Sequence, residues 1–217
     1  MKAPAFLLFL GLCSLCAADP QPLCNGRDLT GWTDAAGKPA GEGWKVEEGG
    51  VIHRTAKAGD LFTAKEYGDF ELSFAWKIAP GGNSGVKYRM QPYPGKGLLG
   101  PEYQLLDDSK HPDAKVGPQR QSGSLYDLVA PDAAAKKLKA PGEWNESRIV
   151  VRGPLFEHWL NGALVVKMTV GSPEWESAHG KSKFKGVTDF ARNPKGRIML
   201  QDHGDEVWFR DLKITEL

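Results

Sequence analysis

Cysteine is scarce in this 217-residue chain, and what there is cannot cross-link a folded domain. Cys13 and Cys16 fall within a leader-like opening, so only Cys24 lies beyond it. An internal disulfide is thereby excluded, and stability has to come from packing. Cys24, between Leu23 and Asn25, reads as a small buried hydrophobe rather than a nucleophile. A dominant charge is also lacking, with 28 Lys and Arg against 27 Asp and Glu. No basic block or long acidic tail occurs, which argues against nucleic-acid binding and disorder. The longest apolar run, Ala5 to Leu15, falls short of the roughly 20 residues a membrane span needs. Nor is there a His-Glu-x-x-His helix, a phosphate-cradling Gly loop with Lys, or a Gly-x-Ser-x-Gly elbow. Zinc-protease, kinase and serine-hydrolase readings lose their support accordingly. Ser84, in Gly82-Asn83-Ser84-Gly85, lacks the context of a nucleophile.

What is present starts with Lys2, the apolar run and the small residues Ala17 and Ala18. That order makes a secretory signal peptide over residues 1–18, cut after Ala18. A lipoprotein anchor at Cys13 or Cys16 is the weaker alternative, because neither follows the usual small residue. Export is expected, and residues 19–217 then have a natural size for one sandwich or barrel. The chain holds 26 glycines, 15 prolines and seven tryptophans, a composition suited to short aromatic strands between tight turns.

Period-two alternation recurs along the chain. Phe70, Leu72, Phe74, Trp76 and Ile78 alternate with Glu71, Ser73, Ala75 and Lys77, as a strand with one face on a core does. Shorter runs are Trp44–Ile52, Gly85–Met90, Tyr103–Leu106, Arg148–Arg152, Phe156–Leu160, Ala163–Met168, Arg197–Gln201 and Glu206–Ile214. Asn161-Gly162 between two of them predicts a two-residue hairpin. Pro131–Lys139 could hold a short helical turn, and Gly171–Pro194 reads as a long irregular segment that covers a site or packs at an edge. The expected fold class is all-β: a two-sheet antiparallel β-sandwich of jelly-roll type.

Alternation also groups the polar residues. Lys87 and Arg89 share one face of their strand, and Glu102 and Gln104 share one face of theirs. Arg197, Met199, Gln201 and His203 share a third. Together these could line a concave sheet with cations, a carboxylate, amides and an imidazole, or form an outer face that is merely wet. In Gln201-Asp202-His203-Gly204-Asp205, a His beside two carboxylates suits proton transfer, since Asp202 or Asp205 can orient the ring. The same segment could hold a divalent metal with Glu102 or Asp107, or simply cap a strand with a hydrogen-bonded turn. His53, His111, His158 and His179 have no comparable setting.

These residues sit within a wider resemblance. Leu23-Cys24-Asn25-Gly26-Arg27-Asp28-Leu29-Thr30-Gly31-Trp32, Tyr67-Gly68-Asp69-Phe70-Glu71-Leu72 and Gly82-Asn83-Ser84-Gly85-Val86 occur in order. So do Glu102-Tyr103-Gln104-Leu105-Leu106-Asp107, His158-Trp159-Leu160-Asn161-Gly162 and Gly196-Arg197-Ile198-Met199-Leu200-Gln201-Asp202-His203-Gly204. The chain resembles the 3-keto-disaccharide hydrolase domain family, also described as 3-keto-glucoside lyases and 2-hydroxy-glucal hydratases. The resemblance implies a concanavalin A-like jelly roll with a ligand groove on its concave face, in an exported, periplasmic protein. It also implies chemistry on sugars oxidised at carbon 3, with an oligosaccharide or smaller saccharide as substrate.

A ketone at carbon 3 acidifies the hydrogen on carbon 2. Its removal lets the enolate expel the group on carbon 1, and water can add back to give net hydrolysis. Such an enzyme needs a base, an acid for the leaving oxygen and a stabiliser for the enolate oxygen. On this reading His203 transfers the proton and Glu102 is the second acid/base or a metal ligand. Lys87 and Arg89 stabilise the oxyanion, Gln104 and Gln201 bind hydroxyls, and Asp107 is a weaker candidate. One of Trp144, Trp175 or Trp208 could stack on the ring. The competing expectation is a non-catalytic, lectin-like carbohydrate-binding module, because a fold does not dictate an activity.

Overall fold

The computed structural model describes residues 19–217, so the expected signal peptide lies outside the described residues. Strand formation follows the alternation most clearly over Phe70–Ile78, where Phe70, Leu72, Phe74, Trp76 and Ile78 are all buried. In chain order the first strands are β1 (Gln21–Pro22), β2 (Trp32–Thr33), β3 (Trp44–Glu47), β4 (Val51–Arg54) and β5 (Leu61–Tyr67). Next come β6 (Phe70–Ile78), β7 (Asn83–Tyr93), β8 (Gly97–Leu99), β9 (Glu102–Leu106) and β10 (Asn145–Arg152). The last are β11 (Leu155–Leu160), β12 (Ala163–Thr169), β13 (Gly196–Leu200) and β14 (Val207–Glu216).

The strands form two antiparallel sheets of a jelly-roll sandwich. One runs β12-β11-β10-β6-β14-β4-β3, with β1 also on β14. The other runs β2-β5-β13-β7-β8, with β9 also paired to β7. A continuous core lies between them, including Trp76, Phe70 and Phe156 from the first sheet and Tyr88, Tyr103 and Leu105 from the second. Each such side chain contributes about 1.5–3 kcal/mol by leaving water. Polar tips inside the core are satisfied: Trp76 Nε1 donates to Ser147 Oγ at 2.9 Å, and the Tyr103 hydroxyl meets the same oxygen at 2.8 Å.

The Asn161-Gly162 turn is present, with positive φ at both residues (47° and 82°) and Leu160 paired with Ala163. Other expectations need correction. Leu61–Tyr67 is a strand that alternation does not mark, because Leu61, Phe62 and Thr63 are all buried and a register irregularity follows against β13. The irregular segment contains a helix, α1 (Pro173–Lys181), started by Ser172 Oγ accepting from Trp175 N at 3.2 Å and by Pro173 in its first turn. Pro131–Lys139 forms turns and no helix. Cys24 is half-buried rather than buried.

The most consequential departure lies in β7. Met199 pairs with Lys87 while Arg197 pairs with Met90, so β7 carries one residue more than β13 across this span. Arg89 takes up the surplus with φ 47°, as a β-bulge does. Beyond the bulge, the side chains of β7 change faces.

Candidate active site

The outer surface of β7, β9 and β13 holds a small hollow of about 70 Å³ lined by Asn83, Glu102, Gln104, Tyr126, Lys183, Gln201 and His203. Glu102 sits on β9 opposite Lys87, with its Oε2 3.6 Å from Lys87 Nζ. Its carboxyl crosses over Gly85, where a Cβ would lie 2.4 Å from Oε1, so the missing side chain makes room for it. Glu102 is 5% exposed, and burial pushes its pKa up despite the opposing fields of Lys87 and Lys183. Gln104 is buried beside it, and one orientation of its amide donates to the Ser84 carbonyl at 2.9 Å and to Glu102 Oε1 at 3.3 Å.

His203 stands at the exposed rim. The segment bearing it is fastened to β7 by Gln201 N donating to the Gly85 carbonyl and Ser84 Oγ donating to the Gln201 carbonyl, both at 2.9 Å. Asn83 N donates to Asp205 Oδ2 at 3.0 Å, and Asn83 Nδ2 lies 3.4 Å from His203 Nε2. Gln201 Oε1 is buried without a hydrogen-bond partner, in a wall where a hydroxyl ligand could satisfy it.

The remaining walls come from distant loops. Tyr126 N donates to the Glu102 carbonyl at 3.0 Å, and its hydroxyl donates to Asp113 Oδ2 at 2.7 Å. Arg120 braces this loop by pairing with Asp113 at 2.8 Å and Asp127 at 2.6 Å. Asp127 in turn accepts from Lys183 N at 2.7 Å, which ties the segment after α1 to the same wall. Lys183 is exposed overall, but its ammonium lies over the rings of Tyr126 and Phe184 at 4.2 and 5.1 Å. Desolvation of that ammonium lowers its pKa, against the pull of Glu102.

Of the expected residues, the structure gathers His203, Glu102, Gln104 and Gln201 in the hollow, with Lys87 paired to Glu102 and Asp205 beside His203. Arg89 is not with them. Turned by the bulge, it donates to Asp69 Oδ1 at 2.7 Å and to the carbonyls of Gly153 and Gly68 at 2.8 and 3.1 Å. Asp107 is also elsewhere, its carboxylate accepting from Gly81 N, Ser109 N and Ser109 Oγ at 2.7, 3.0 and 2.6 Å. Burial would raise its pKa, but these bonds hold it below the usual value. Asp202 faces away from His203, pairing with Arg54 Nε at 2.7 Å and accepting from Ala58 N and Gly59 N at 2.8 and 2.9 Å.

None of the three tryptophans lines the hollow. Trp175 is the buried residue of α1, and Trp144 and Trp208 flank Lys77, on β6 of the other sheet. Sequence reasoning missed Asn83, Tyr126, Lys183 and His111 as site residues, along with Asp60, a carboxyl raised by burial within the fields of Lys87 and His203. Only Asn83, inside the quoted Gly82–Gly85 motif, carried a signal. A larger hollow, about 450 Å³, is on the other sheet between Trp159, Arg148 and Arg210, where the cations pair with Glu71 and Asp211. Its volume exceeds that of the smaller hollow, but it lacks a buried acid opposite an imidazole.

The sequence left open a divalent metal on His203 with Glu102 or Asp107. The set brought together is His111, His203 and Asp205, with donor atoms within 4.8 Å of one another. As arranged, this set does not fit a cation. His111 Nδ1 accepts from Asp113 N at 3.2 Å, which leaves the proton of the neutral ring on Nε2 and no free lone pair.

Residues 19–215 match the model of the 3-keto-α-glucoside-1,2-lyase-like domain. The chain belongs to that family. A 3-keto-disaccharide hydrolase of Bacteroides thetaiotaomicron is 33% identical over 89% of this chain and 77% of its own length. A crystal structure of a candidate glycosyl hydrolase from Parabacteroides distasonis superposes with a TM-score of 0.79, at 34% identity over 90% of this chain and 92% of that one. The Bacillus licheniformis β-glucanase, at 12% identity and a TM-score of 0.53 over 94% and 99% of the two chains, shares the fold alone. Membership of the 3-keto-α-glucoside-1,2-lyase-like family makes this chain a hydrolase-type enzyme. No helix among the described residues is long and apolar enough to cross a membrane.

Proposed function

We propose that this protein is an exported, periplasmic or extracellular enzyme that cleaves 3-keto-glycosides by proton abstraction and elimination, with water re-adding to give net hydrolysis. The observation that carries the reading is Glu102, buried beside Lys87 in a hollow whose rim bears His203. An ordinary glycosidase works with a matched pair of carboxylates across the bond. Elimination needs instead a base at carbon 2, a proton donor at the leaving oxygen and positive charge near the enolate oxygen.

His203 is the base, at the open rim where a sugar enters. Glu102 is the proton donor, since burial keeps its proton on to a higher pH. Lys87 and Lys183 supply the positive charge, Lys183 taking the place first given to Arg89. Gln201, with its free carbonyl oxygen, accepts a sugar hydroxyl. Relatives named for 3-keto-disaccharide and glycosyl hydrolysis support this substrate class.

The test is incubation with a 3-keto-glucoside bearing a chromophoric leaving group, with and without chelator. His203→Ala and Glu102→Gln should each lower chromophore release by at least about a hundredfold with the fold intact. No release by the wild-type protein from any of several 3-keto-glycosides would sink the proposal.

A further inference from the structure

The outer face of the larger sheet carries a trough of about 450 Å³, a size common among clefts for small ligands. Its shape follows from the register. Ser73 and Ala75 of β6 are small, while their cross-strand neighbours are long. Arg148 of β10 lies opposite Ser73, and on β14 Arg210 lies opposite Ala75 and Lys213 opposite Ser73. Trp159 of β11, paired with Arg148, closes one side.

Two features separate this trough from a face that is merely wet. First, β14 carries one residue more than β6 across it, and Asp211 takes up the surplus with φ 54°. An unbroken strand needs no residue in that conformation, and strain of this kind gathers where a side chain has to be re-aimed. The bulge leaves Arg210 and Asp211 both exposed, with Nε 3.5 Å from Oδ2, while Leu212 still reaches the core. A donor and an acceptor thus stand side by side at the trough. Second, Arg148 is held in place by the protein itself. Its guanidinium stacks on the Trp159 ring at 4.1 Å, and Nη1 donates to Glu71 Oε2 at 3.1 Å. Among the described residues Arg148 bonds no other side-chain acceptor, so most of its donors stay free for a ligand.

We propose that this trough is a second, non-catalytic binding site for a neutral oligosaccharide. Its charges balance, Arg148, Arg210 and Lys213 against Glu71, Glu146 and Asp211, so a ligand of one strong charge gains little there. A sugar suits it on chemical grounds. The apolar C–H face of a ring packs on Trp159, while hydroxyls donate to Asp211 and accept from Arg148 and Arg210. The trough and the hollow of Glu102 and His203 lie on the outer faces of opposite sheets. A glycan held in the first therefore leaves the second open.

The test is NMR of protein labelled with ¹⁵N-tryptophan, with the Trp159 indole signal assigned through Trp159→Phe. Neutral tetrasaccharides of glucose, galactose, mannose and xylose are titrated in turn. At least one should shift the Trp159 signal to saturation, with an affinity that added salt leaves unchanged. Asp211→Gly keeps the left-handed backbone without strain, so it should fold and weaken that binding about tenfold. His203→Ala should leave the binding as it is. No shift with any of the sugars at tens of millimolar overturns the proposal. Binding unweakened in Asp211→Gly, or lost in His203→Ala, overturns it too, as does tighter, salt-sensitive binding of a uronic-acid oligosaccharide. Binding is read on the protein without any reaction, so the result is separate from the turnover test of the proposed function.

Discussion

Lys87 Nζ lies 3.6 Å from Glu102 Oε2, across the pair of strands that forms the floor of the hollow. Burial raises the Glu102 pKa, and the Lys87 ammonium is the largest influence pulling it back. Lys87→Met should therefore raise that pKa further. If protonated Glu102 is the acid, the basic limb of the kcat/KM profile should move to higher pH, while the rate falls about a hundredfold from the lost positive charge. A basic limb that moves down would contradict the assignment.

Gly85 is where a single added methyl would meet the buried acid of the site. An Ala Cβ would sit 2.4 Å from Glu102 Oε1, the free end of a flexible side chain. The carboxyl can swing aside cheaply, so Gly85→Ala should cost the fold only about 1–3 kcal/mol. Misplacing the acid should cost turnover about a hundredfold. Urea unfolding and steady-state rates on the same variant separate the two effects.

Arg89 should show the opposite balance. Removing it strands the carbonyls of Gly68 and Gly153 and leaves Asp69 Oδ1 with its bond from Gly153 N. Arg89→Met should lower stability by about 3 kcal/mol and leave kcat of the folded fraction near normal. A stable variant with lost turnover would return Arg89 to the site.

His158 makes stability depend on pH. It is buried, bonded by Tyr88 Oη at 2.9 Å and to the Gly123 carbonyl at 3.1 Å. Burial pushes its pKa down to about 4, from 6.5. The unfolded chain therefore binds this proton more readily than the folded one. The stabilisation is complete above pH 6.5 and drains away as pH falls towards 4, by about 3 kcal/mol in all. Denaturant curves at several pH values should show this slope, and His158→Gln should remove it.

The sandwich was legible because alternation reports directly on burial, as Phe70–Ile78 shows. The pairing of Glu102 with Gln104 was legible for the same reason: β9 stays in register with β7 along its whole length. The grouping of Lys87 with Arg89 failed because period two presumes an unbroken strand, and one surplus residue reverses the faces beyond it. Lys183, Tyr126 and His111 lie on loops with no period at all. Their arrival depends on long-range ties such as Asp127 to Lys183 N, which local sequence does not announce. Asp202 was misjudged for a related reason, since its partner Arg54 is distant in the chain.

The bulge at Arg89 gives one strand two separate duties. Before it, Gly85 and Lys87 set the acid in place; after it, Arg89 clamps the turns at Gly68 and Gly153. Selection for durability can therefore rework the second half without disturbing the chemistry of the first. A lineage could adapt to heat through the clamp and to a new sugar through the floor, each on its own schedule.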